Sequence, residues 1–270
     1  MFSWYHRRRR ARILARSDLS PTHWHRAWQG IRLLDGLPEQ DHLRLRELAT
    51  LFLHEKAIEP VQGLRVTRGM EQYIALQACL PLLGLHLDWY RSWHAIVLYP
   101  DTFVSTFDEQ DEAGVVHRVR EPRMGESWDR GPLILSWADS LASGEALDGY
   151  NVIIHECAHK LDALDGVANG KPPLHRDMSV QQWADVFGAA WDELCRQVDA
   201  GMEPDMDPYG SEAPEEFFAV TSEAFFEIPE HLWRTYPGVY GQLARFYRQD
   251  PLRRGVPVTS DPVQAQGNGP

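Results

Sequence analysis

Apolar residues recur at mixed three- and four-residue spacing through residues 38–59, where Leu43, Leu45, Leu48, Leu51, Phe52 and Leu53 alternate with charges. That periodicity predicts a helix. A second helix is predicted from Arg68 to about Leu80, ending near Pro81. Strand signals follow: Ala-Ile-Val-Leu-Tyr at 95–99, stopped by Pro100, and an alternating run at 115–120. The acidic stretch between them (Asp108, Glu109, Asp111, Glu112) reads as a solvated turn. Leu-Ile-Leu-Ser-Trp at 133–137, opened by Gly131 and Pro132, reads as a third strand. A buried helical pattern then occupies 150–162, with Val152, Ile153, Ile154, Cys157, Ala158 and Leu161 covering a wide stripe, and Gly166 supplies a stop. A long helix is expected over 179–200, with Trp183, Phe187, Ala190, Trp191 and Leu194 on one side. After a Gly/Pro/Asp-rich loop, Pro214 opens a helix over 215–226, and a last helical stretch surrounds 236–247. These elements predict an α+β fold, mostly helical with a small mixed sheet, and no internal repeat.

Composition narrows the picture. A chain of 270 residues with ten tryptophans can bury a sizeable core. The formal charge of −12 disfavours general nucleic-acid binding. Cys79, Cys157 and Cys195 are too few and too widely spaced for a disulfide framework or a cysteine zinc site. Arg7 to Arg10, Arg12 and Arg16 precede the first acid, Asp18, so residues 1–20 read as a flexible basic arm, or as an anchor for an acidic partner or an anionic membrane. No apolar segment follows that charge, so no secretion signal is expected, and no stretch is apolar enough for a membrane span. A cytoplasmic location is the expectation. Residues 21–254 are expected to form one domain, and the Pro- and Gly-rich tail at 255–270 to be disordered.

The chemistry concentrates in His155-Glu156-Cys157-Ala158-His159, an H-E-x-x-H motif. On a helix, positions i and i+4 share a face, so both imidazoles can bind one zinc ion. Glu156 then stands beside the metal, where it can take a proton from a water the metal activates. Asp162 lies on the same stripe and could accept a hydrogen bond from a ligand imidazole. Catalytic zinc usually takes three protein ligands, and no third histidine follows at the metzincin spacing. A carboxylate on the 215–226 helix is the other common solution. Glu215, Glu216 and Glu223 are candidates; Glu216 and Glu223 share one face, so spacing does not choose between them.

The segments His155-Glu-Cys-Ala-His-Lys-Leu-Asp162 and Glu216-Phe-Phe-Ala-Val-Thr-Ser-Glu-Ala-Phe-Phe226 closely resemble the Mlc titration factor A family of bacterial zinc peptidases. Pro60-Val-Gln-Gly63, Gly131-Pro-Leu-Ile-Leu135 and Phe246-Tyr-Arg-Gln-Asp-Pro-Leu252 carry the same resemblance, which spans roughly 35–252 and leaves the arginine-rich start outside it. It implies a zincin-like (gluzincin) metallopeptidase fold with one zinc ion held by His155, His159 and Glu216. The mechanism that follows has Glu156 as general base and Tyr209, in a loop where the family also carries a tyrosine, as oxyanion donor. With Glu216 as ligand, Glu223 stands about 10 Å further along the same helix and serves as hydrogen-bond partner of a ligand histidine. A tyrosine merely packed on the cleft wall is the plain alternative for Tyr209. Aminopeptidase-like action on small peptide substrates is implied, as is binding of an Mlc-like repressor that governs sugar-transport genes. Strand 133–137 is the candidate to pair an extended substrate, and a plain core strand reads the same in sequence. The competing function class is a regulator that sequesters a transcriptional repressor, with hydrolysis secondary.

Overall fold

The computed structural model describes residues 2–101, 103–110, 116–123, 125–127 and 131–254. In chain order the elements are α1 (Phe2–Arg16), α2 (Pro21–Gln29), α3 (Glu39–Glu55), β1 (Ala57–Pro60), α4 (Arg68–Cys79), β2 (Ala95–Tyr99), β3 (Phe103–Gln110), β4 (Val116–Arg123), β5 (Gly125–Ser127) and β6 (Leu133–Ser136). Then come α5 (Trp137–Glu145), α6 (Val152–Asp162), α7 (Val180–Asp199), α8 (Pro214–Glu227), α9 (Pro229–Thr235) and α10 (Pro237–Tyr247). The architecture is α+β, mostly helical. One sheet has the order β1-β2-β6-β5, with β1, β2 and β6 parallel and β5 antiparallel to β6. Strands β3 and β4 form a separate antiparallel pair.

Local chemistry sets the helix ends. Side chains of Ser20, Thr67, Ser136, Asn151 and Ser179 each accept an amide hydrogen bond at the start of α2, α4, α5, α6 and α7. Pro214 opens α8, where its missing N–H costs nothing. Every residue of α8 from Phe217 to Glu227 is buried, and most of α6 is buried too. These two helices therefore pack through the centre of the molecule. Trp183 and Phe187 of α7 stack with ring centroids 4.1 Å apart and meet Phe218 of α8. Large aromatic side chains bury much apolar area, on the order of 2–3 kcal/mol each, and so fix the position of α8 firmly.

Several expectations change. The helix expected over 38–59 ends at Glu55, and Ala57–Pro60 leave it to pair with β2 as a parallel strand. Asp108 and Glu109 lie within β3, not in a turn; Asp111 and Glu112 lie outside the described residues, as does the tail at 255–270. In place of a flexible arm, Phe2–Arg16 form a helix lying on α3. Helical spacing turns Arg10, Ile13 and Leu14 inward: Ile13 and Leu14 pack against the core, and Arg10 donates two hydrogen bonds to Glu55 at 2.8 and 3.0 Å. A third contact, 2.7 Å to Asp88, completes that ion-pair cluster. Strand β6 is also not the cleft edge: β2 pairs one side of it and β5 the other, so β5 and not β6 lies at that edge of the sheet, with β1 at the opposite edge. No helix among the described residues is long and apolar enough to cross a membrane.

Candidate metal centre

Helix α6 begins at Asn151 because that residue caps it, its Oδ1 accepting the Ile154 amide at 3.0 Å. One turn later His155 and His159 project from the same face, their Nε2 atoms 3.1 Å apart. Glu216, in the first turn of α8, brings Oε2 to 3.1 Å from His155 Nε2 and 3.2 Å from His159 Nε2. Among the described residues these three form the one group of ligating side chains converging on a common point. Donors bound tetrahedrally to one zinc at about 2.0–2.1 Å stand about 3.3 Å apart, so the observed spacing fits such an ion.

The two carboxylates that sequence spacing could not tell apart occupy different places around His155. Glu216 and Glu223 stand about 10 Å apart along the α8 axis at 1.5 Å per residue. They reach opposite nitrogens of one imidazole: Glu216 approaches His155 Nε2, while Glu223 Oε1 lies 2.7 Å from His155 Nδ1. A proton on Nδ1, donated to Glu223, leaves the Nε2 lone pair turned toward Glu216 and His159. Glu215 is not part of the donor group.

Glu156 is 3% exposed, and its Oε2 has no hydrogen-bond partner among the described residues. Burial pushes its carboxyl up to about 7, against the opposing pull of His159 and His155. Burial also disfavours charge on Glu216, yet hydrogen bonds with both histidines overrule it and hold that carboxyl well below the usual range. At His155 burial acts against protonation, but Glu223 and Glu216 outweigh it and raise the imidazole. Glu216, kept ionised between the two imidazoles, supplies the anionic oxygen donor that a divalent cation takes beside nitrogen ligands.

Tyr209 sits in the short turn Pro208–Ser211, held by its amide hydrogen bond to Asp207 Oδ1 at 2.9 Å. Its ring lies 5.9 Å from the His155 ring, and the residue is 43% exposed. Asp162 takes a different part from the one expected. Its Oδ2 accepts the Asn169 and Gly170 amides at 2.8 and 2.7 Å, and its Oδ1 bonds neither imidazole among the described residues. Gly170 has φ +75°, and a Cβ there would meet Pro214 O at 2.4 Å. Asp162 thus pins a loop against the opening turn of α8, two residues before Glu216. Asn169 and Gly170 are close along the chain to Asp162, and a carboxylate so placed satisfies local amides first.

Asn151 went unread in the sequence, although Asn just before an apolar helical run is a cap signal. Its amide donates to Glu223, and its Nδ2 donates to Gln77 Oε1 and Glu227 Oε1, both at 2.9 Å. One residue therefore ties α4, α6 and α8 together behind the histidines. Lys160, fully buried, donates to Gly131 O at 3.1 Å and secures the approach to β6.

Glu227 carries a pH prediction. Burial pushes its carboxyl up to about 8, although Asn151 and Gly149 hydrogen bonds pull it down, from an ordinary 4.5. Between these values the unfolded chain releases a proton that the folded chain keeps, so stability is greatest below the lower value and falls as pH rises. The slope is at most about 1.4 kcal/mol per pH unit. Glu227→Gln should remove this component: the difference in unfolding free energy between variant and wild type should shift in the variant's favour from pH 5 to pH 8. A pH-independent difference in denaturant titrations would count against it.

Two helix-borne histidines one turn apart, a carboxylate donor on a second buried helix and a buried glutamate beside them define the class: a metallopeptidase. A family model described as glucose-regulated metallo-peptidase M90 matches residues 4–248, and the chain belongs to that family. The match reaches into α1, so the arginine-rich start lies within the family's extent. The chain is similar to proteins named Mlc titration factor A from Yersinia pestis (strain Pestoides F) and Yersinia pseudotuberculosis (serotype O:1b, strain IP 31758), 41% identical over 235 residues and 86% of each chain.

Proposed function

We propose that the chain is a zinc-dependent peptidase of the gluzincin type, acting on small peptides in an aminopeptidase-like manner in the cytoplasm. The observation that carries the proposal is the convergence of His155 Nε2, His159 Nε2 and Glu216 Oε2 within 3.1–3.2 Å beside the buried, partly unpartnered Glu156. Zinc held by those three donors would polarise the scissile carbonyl and acidify a water. Glu156 accepts the water's proton and delivers it to the leaving amine; a carboxyl lifted toward neutrality by burial suits both transfers. The Tyr209 phenol, whose ring lies 5.9 Å from that of His155, donates to the tetrahedral oxyanion. Glu223 holds the His155 ring in the tautomer that ligation needs. An extended peptide pairs with the edge strand β5, beside α6, by main-chain hydrogen bonds.

Treating the purified protein with a strong zinc chelator should abolish hydrolysis of short peptides and aminoacyl anilides, and added zinc should restore it. Activity that survives while metal analysis reads zero would overturn the proposal.

The name of the similar Yersinia proteins supports a second role beside the first: binding an Mlc-like transcriptional repressor and withdrawing it from its operators. The intact Glu156 favours catalysis as well, since a binding scaffold alone has no use for a base at that position.

A further inference from the structure

Helix α1 carries two faces with different fates. Arg10, Ile13 and Leu14 turn inward onto the body of the protein, as described. Trp4, Tyr5, Arg8, Arg9, Arg12 and Arg16 fall at three- and four-residue spacing on the outward side, and all six are exposed. Trp4 is 55% and Tyr5 64% exposed, and the Arg8 guanidinium lies 3.9 Å over the Trp4 ring. Together with His54 of α3 they border a shallow groove of about 460 Å³. No acid occurs before Asp18, and with six arginines placed there the remaining 253 residues carry a formal −18. The formal charge is therefore divided sharply between this basic segment and an acidic remainder.

We infer that this outer face of α1 is a docking surface for an anionic lipid bilayer. The stripe is straight and about 18 Å long, from Trp4 to Arg16 at 1.5 Å per residue, which matches a planar sheet of headgroups. Tryptophan and tyrosine at one end of a basic helix favour the interfacial zone, where an apolar ring and a polar edge are both accommodated. The single sign of the stripe fits mobile lipid phosphates; a folded protein partner is usually held in register by charges of both signs. Repulsion between the acidic remainder and the same phosphates orients α1 toward the bilayer. The contact is peripheral: the inward face of α1 stays packed on α3.

Co-sedimentation of the full chain with vesicles tests this. Wild type should bind phosphatidylglycerol/phosphatidylcholine vesicles in 0.1 M salt, release them in 0.5 M salt, and ignore pure phosphatidylcholine. Each arginine near the surface is worth roughly fivefold in partitioning, so the Arg8, Arg9, Arg12 and Arg16 to Gln variant should fall several-hundred-fold. Circular dichroism and thermal melting establish that it folds; if it does not, Arg12→Gln alone should fall about fivefold. Trp4→Ala with Tyr5→Ala should weaken binding at unchanged charge. Wild-type binding by that aromatic variant would reveal bulk charge attraction and overturn the seating. Failure to prefer anionic vesicles overturns the inference too. So does tight binding to polyglutamate or a DNA duplex without vesicle binding, which would assign the stripe to an acidic macromolecule.

Discussion

Replacing Glu156 by glutamine should leave the protein metal-loaded and lower peptide hydrolysis by about 10²–10⁴-fold, the usual cost of losing a general base. Glu156 does not belong to the converging donor group, so metal content should not change. The substitution conserves volume in a site only 3% exposed. It also replaces a carboxyl that burial pushes up to about 7 with a neutral amide, so the variant should be at least as stable as wild type at pH 8. Lower activity with equal or greater stability separates a catalytic loss from misfolding. Metal analysis, turnover on short peptides and thermal melts at pH 8 read out all three. Full turnover in a metal-loaded variant would rule Glu156 out as the base. The same variant should bind an Mlc-like repressor as wild type does; loss of binding would place the partner at the metal centre itself.

Glu216→Ala should reduce metal to near zero after dialysis, whereas Glu223→Gln should keep it with affinity weakened roughly 10–100-fold. The two carboxylates sit on one face of α8, but only Glu216 approaches both Nε2 atoms, at 3.1 and 3.2 Å. Glu223 meets only the far nitrogen of His155, at 2.7 Å, and also accepts the Asn151 amide. Removing Glu216 therefore deletes a donor, while altering Glu223 frees a ring to turn. Equal metal loss in both variants would indicate that the site collapses as a unit, and a metal-loaded Glu216→Ala protein would exclude it as a ligand.

The H-E-x-x-H helix was legible because everything it needs is local. A four-residue spacing puts two histidines on one face, and an apolar stripe with a stop after it bounds the element. The same holds for α4, α7 and α8, whose patterns persist over three turns or more. Strands β1 and β5 escaped notice for the opposite reason. At four and three residues they are too short to show an alternation, and they exist only because β2 and β6 offer them a partner edge. The basic stretch at the start read as a solvated arm because six arginines dominate its composition. Only the placement of Glu55 and Asp88 opposite Arg10, with room for Ile13 and Leu14, makes it a packed helix.

By itself, then, the sequence determined helices α3, α4, α6, α7, α8 and α10, the pair of histidines with its intervening glutamate, and the resemblance that named a third donor. The tertiary structure decided which nitrogen each carboxylate meets, that Asp162 serves a loop, and that Asn151 joins three helices. The reason is distance along the chain. Glu216 and Glu223 lie 61 and 68 residues from His155, and Asn151 lies 74 residues from Gln77. A helical period relates residues three, four and seven apart; contacts of that span arise only when α4, α6 and α8 pack.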